Sequence, residues 1–142
     1  MVSGWTEFTV DTVLNGMPTD MGNLYRSWVD ANPSKTNRLA ELVAETLGIF
    51  REAVSTQSRV VMDENPAMIP VTGFRHALNL VVFNLGMEMG IQFAPEVYGL
   101  NVQANIWLRM VQAGSLRSLD ATTAGSPRYG RAGRRRRVRS EY

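Results

Sequence analysis

Apolar residues recur at helical spacing along three stretches of the chain. From Ser34 onward, Leu39, Leu42, Val43, Thr46, Leu47, Ile49, Phe50, Ala53 and Val54 follow the i, i+3, i+4, i+7 rhythm, with Glu41, Glu45, Arg51 and Glu52 between them. This predicts a helix that ends near Gln57 or Ser58. A second stripe, Phe74, Ala77, Leu78, Val81, Leu85 and Met89, starts after Thr72 as its N-cap and stops at Gly90, a natural C′ residue. A third begins at Ala94-Pro95-Glu96, with proline at the first helical position and an acid in the first turn. Its stripe is Val97, Leu100, Ala104, Trp107, Leu108 and Val111, and it ends near Ala113-Gly114.

The remaining segments are weaker. Thr9 caps a short helix carrying Val10, Val13 and Leu14, which Gly16 and Pro18 stop. Asp20 to Pro33 reads as a loop or short helix bearing Leu24, Tyr25 and Trp28. Arg59 to Pro70 carries Val60, Val61 and Met62, breaks at Asn65-Pro66 and Ile69-Pro70, and fits a short extended piece or β-hairpin arm. Ile91-Gln92-Phe93 is a short connection, which makes the helices on either side antiparallel. The expected fold is all-α: a small antiparallel bundle of three to four helices over residues 1–113, with one core. After Gly114 the periodicity collapses, and residues 114–142 read as an extended arginine-rich C-terminal arm with too little apolar surface to fold alone.

Composition agrees with one folded domain. The chain has 142 residues, 44% hydrophobic and 20% charged. It contains no cysteine, which excludes disulfides, thiolate metal sites and cysteine nucleophiles. The N-terminus is polar and mixed, without the basic and apolar blocks of a secretory signal. No apolar run approaches the roughly 20 residues needed to cross a bilayer, so a soluble protein without a membrane partner is expected. The net charge of +2 hides an asymmetry. Residues 114–142 carry eight arginines against two acids, whereas residues 1–113 carry seven basic and eleven acidic side chains. An acidic body is joined to a basic arm.

The chain offers few groups for chemistry. His76, its one histidine, cannot build a multi-histidine metal site and reads as a structural or surface residue. Glu41 and Glu45 share a helix face without an accompanying Glu-x-x-His motif, so they read as a solvated face. Phosphate-binding loops, nucleophile elbows and dinucleotide fingerprints are absent. The chain is therefore not expected to be an enzyme or to hold a metal or cofactor. The prominent feature is Arg134-Arg135-Arg136-Arg137-Val138-Arg139, flanked by Tyr129 and Tyr142. Guanidinium groups pair with phosphates or carboxylates in bidentate fashion and stack on aromatic rings. The arm thus reads as a contact surface, and a nucleic-acid-binding helical module is one function it would serve. Phe83, Trp107 and Trp28 are candidates for either core or interface.

From Asn65 to Ala113 the chain resembles the head-to-tail adaptor proteins of tailed bacteriophages, also called head completion or packaged-DNA stabilisation proteins. The run from Ile69 through Pro70, Thr72, Ala77-Leu78-Asn79-Leu80 and on to Gly90 is similar to their proline-led helix and closing glycine, and Ala94-Pro95-Glu96 to the start of the next. Thr9 to Leu14 resembles their short opening helix, and the arginine-rich, tyrosine-containing end resembles the extended arm of the podovirus type. The resemblance implies a structural protein of the virion neck, assembled in the host cytoplasm. Its copies would form a homo-oligomeric ring, a dodecamer, that binds the portal protein, docks tail proteins and surrounds packaged double-stranded DNA. Arg128, Arg131, Arg134, Arg135, Arg136, Arg137, Arg139 and Tyr142 would then contact the portal or phosphates.

Overall fold

The computed structural model describes residues 4–57 and 60–114. Along the chain run β1 (Trp5–Glu7), α1 (Val10–Gly16), α2 (Thr19–Ala31), a 3-10 turn (Pro33–Lys35), α3 (Arg38–Ser55), β2 (Met68–Pro70), α4 (Val71–Glu88) and α5 (Pro95–Gln112). The arm expected at 115–142 lies outside the described residues.

Helices α3, α4 and α5 form a three-helix bundle. Near one end Phe50, late in α3, stacks on Trp107, late in α5, at 5.5 Å between ring centroids. Trp107 also lies against Gly73, early in α4. Near the other end Arg38, opening α3, pairs with Glu88, closing α4. There Phe83 of α4 meets Tyr98 of α5 edge-on at 5.4 Å. Helix α4 therefore runs antiparallel to both neighbours, as the short connection after it predicts. One core joins Leu39, Phe50 and Val54 of α3 to Leu78, Val81 and Leu85 of α4 and to Ala104, Leu108 and Val111 of α5.

The fold is mainly helical but not purely so. β1 pairs antiparallel with β2, with Trp5 opposite Pro70, Thr6 opposite Ile69 and Glu7 opposite Met68. The partner of the extended piece is thus the start of the chain, not a neighbouring hairpin strand. A three-residue strand is too short to show alternation, and all of β2 is buried, so no polar face marks it. Flanking bonds extend the pairing: Phe8 N–H donates to the Ala67 carbonyl at 2.7 Å, and Val71 N–H donates to that of Gly4 at 2.8 Å. The second bond corrects the expected start of α4. Pro70 is the N-cap and Thr72 lies inside the helix, because the ribbon already supplies a partner for the first free amide.

Other boundaries follow local chemistry. Thr9 and Thr12 form a reciprocal capping box on α1. Thr36 Oγ1 donates to the Pro33 carbonyl at 2.6 Å, which favours a tight turn there and delays α3 from Ser34 to Arg38. Gly90, at φ +78, ends α4. Its amide donates to Met87 and that of Ile91 donates to Gly86, which satisfies two terminal carbonyls. Asp20 to Pro33, expected as a loop or short helix, contains most of a thirteen-residue helix, α2. Only Met21 of its apolar side chains is fully buried, so its stripe is thin.

Candidate interaction surfaces

The arginines and tyrosine assigned to contact, Arg128, Arg131, Arg134, Arg135, Arg136, Arg137, Arg139 and Tyr142, lie outside the described residues, as does Tyr129. Among the described residues no group of three histidine, cysteine or carboxylate side chains is placed to hold a metal. No described helix is long and apolar enough to cross a membrane.

The other candidates fall into structural contexts. Arg38 donates from Nε and Nη2 to both Glu88 oxygens at 2.6–2.9 Å, and from Nη1 to Glu41 at 3.0 Å. Glu45 stands 3.9 Å from the same guanidinium. Glu41 and Glu45 are thus an exposed acidic face gathered around one arginine. The Arg38 hydrogen bond holds the Glu88 carboxyl below its ordinary pKa. His76 stacks on Trp107 at 5.5 Å, and its Nδ1 is buried without a hydrogen-bond partner among the described residues. Burial lowers its pKa, because imidazolium would lose its hydration there. Trp107 therefore lies between Phe50 of α3 and His76 of α4 and joins the three main helices. Trp28 packs beside Tyr25 at 6.4 Å. Phe83 joins Phe93 and Tyr98 in an aromatic cluster where α4 passes to α5.

Two surfaces stand out from this background. The first is the outer face of α5. Ala104, Leu108 and Val111 point into the core. On the opposite side Tyr98, Val102, Ile106 and Met110, four residues apart, are 44%, 54%, 45% and 38% exposed. At 100° per residue they make one slowly turning ridge. Between Val97 and Gln112 the sole charge is Arg109. A helix apolar on all sides belongs inside a larger structure, yet α5 has core on one side only.

The second surface is an apolar groove of about 510 Å³ beside α2 and α4, lined by Met21, Leu24, Leu78, Val82, Phe93 and Leu100 among others. Leu24 is half exposed within it, and Asp20 and Arg75 are its charged lining. The spacing of α2 carries little sign of this groove, because Met21 and Leu24 become neighbours of Leu78 and Val82 only through tertiary packing. The ridge was legible in part. Periodicity assigned Leu100 to the core, whereas it is 41% exposed on the groove rim, and it left Val102, Ile106 and Met110 as unexplained apolar positions. No family model, no curated protein and no solved structure matches the chain.

Proposed function

We propose that this chain is a non-enzymatic structural subunit of a bacteriophage head-to-tail adaptor ring. In this reading it joins the portal to the tail, extends the DNA channel and uses its arginine-rich arm, Arg128 to Tyr142, to hold the portal. The sequence resemblance motivates the reading, and the outer face of α5 carries its physical support. A free subunit exposes Tyr98, Val102, Ile106 and Met110 on one helix face, and assembly would remove them from water. Many copies repeating one modest contact around a ring would attach strongly overall. An arm that orders only on its partner keeps the free subunit from committing early.

The test is to express the chain with the portal gene of its own source, purify by a tag on the chain, and examine the product by negative-stain microscopy and protein mass spectrometry. Rings bound to a portal are the expected result. Loss of portal binding on removing residues 115–142 would assign the arm its role. Recovery of nucleic acid without portal, released by moderate salt, would overturn the proposal and favour a nucleic-acid-binding module. The eight arginines against two acids in the arm are the feature that favours this second reading. The acidic excess of residues 1–113 opposes it, since such modules spread positive charge over a folded face.

A further inference from the structure

A subunit of a closed ring needs two different, complementary patches, because a patch that pairs with itself closes at two copies. We infer that the α5 ridge of one copy seats in the groove beside α2 and α4 of a second copy. This inference rests on the ring reading above and names its contact. Tyr98, Val102, Ile106 and Met110 form a convex row, while Met21, Leu24, Leu78 and Val82 line a concave apolar surface elsewhere on the same chain. Rows of residues four apart are the ridges that most often pack into the grooves of another element.

Charge selects the same occupant. Residues 1–113 carry eleven acids against seven bases, so most faces of two copies repel. The ridge has no carboxylate, and its one ion is the exposed Arg109. The groove presents Asp20, also exposed. Arg109 has no ion-pair partner among the described residues, and Asp20 of a second copy supplies the opposite charge. Ridge against ridge would leave the groove empty and bring no carboxylate to Arg109. Ridge in groove uses both surfaces on every copy and propagates around the assembly.

The native chain contains no cysteine, so single cysteines report contacts cleanly. Leu24→Cys and Ile106→Cys chains, full length and differently tagged, are mixed and oxidised. A mixed Leu24→Cys/Ile106→Cys dimer is expected, with neither variant linking to itself, and a chain carrying both substitutions gives a ladder of higher multimers. Self-linking of Ile106→Cys would overturn the inference, because the ridge would then pair with itself. A chain that oligomerises by light scattering yet gives no mixed dimer would overturn it too, and would leave the ring reading standing with its contact elsewhere. A chain that stays monomeric even with the portal present would remove both. As a second variant, Val102→Glu changes an exposed position. It should leave the circular dichroism spectrum unchanged and shift the assembly to monomer, and persistent oligomers in that variant would equally refute the contact.

Discussion

Gly48 and Gly73 both sit inside long helices, yet their replacement by alanine should have opposite signs. A Cβ on Gly48 meets nothing within 4 Å, so Gly48→Ala only removes backbone freedom from the unfolded chain. It should raise stability by about 0.5–1 kcal/mol in urea unfolding. A Cβ on Gly73 would lie 2.8 Å from the Trp107 ring, which Phe50 and His76 hold from either side. Gly73→Ala should therefore cost about 1–3 kcal/mol in the same measurement. His76 gives the residue scale its pH dependence. Burial lowers its pKa from the ordinary value of 6.5, so the folded chain resists a proton that the unfolded chain accepts. Its destabilising contribution is absent above that value and grows as pH falls through it. Thermal unfolding between about pH 7.5 and 5.5 should show a falling midpoint in the native chain and a flatter one in His76→Gln.

At the scale of elements, side chains of α3 hold distant segments in place. Arg51 donates to the carbonyls of Asp63, Asn65 and Met68, and its guanidinium lies 5.5 Å from the centre of the Trp5 ring. One arginine thus fixes both the turn before β2 and the strand paired with it. Asp63 and Asn65 shape that turn by accepting hydrogen bonds from backbone amides two residues on. Arg51→Met should cost about 2–3 kcal/mol, because it leaves buried carbonyls without donors, and hydrogen exchange should speed most in β1 and β2. Arg51→Lys should rescue little, since a single ammonium cannot span three carbonyls. At the other end of α3, Arg38 and Glu88 tie α3 to α4. The Glu88 carboxyl lies below its ordinary value of 4.5, so this tie is complete above that pH and is lost as pH falls below it. A second, acidic drop in the melting midpoint, absent in Glu88→Gln, is expected.

For the whole molecule, the described core closes at Val111, where Gln57 Nε2 donates to the Val111 carbonyl and secures the end of α5. Removing residues 115–142 should therefore leave the helical spectrum and melting midpoint of the remainder within a few degrees of the full chain. The same truncation should abolish portal binding if the arm holds the portal. Body and arm then have separable duties. The body supplies the ridge and groove through which copies meet, and the arm supplies the arginines that reach a different partner. Light scattering of the truncated chain, compared with the full chain, checks this separation: self-association should survive while portal capture does not.

The sequence alone determined the three long helices, the antiparallel turn between α4 and α5, the glycine stops and the division of charge between body and arm. Each of these follows from neighbours close in sequence: a 3.6-residue period, a cap or a run of one residue type. Tertiary structure decided what depends on residues far apart. β1 and β2 are strands because Trp5–Glu7 and Met68–Pro70 complete each other's hydrogen bonds, a pairing that no local pattern encodes. Arg51 looks like a solvated helix residue until the turn after α3 brings three carbonyls to it. The apolar positions of α5 divide into core and ridge only when α3 and α4 cover one side of the helix. Periodicity specifies which residues share a face, but packing decides which face meets water.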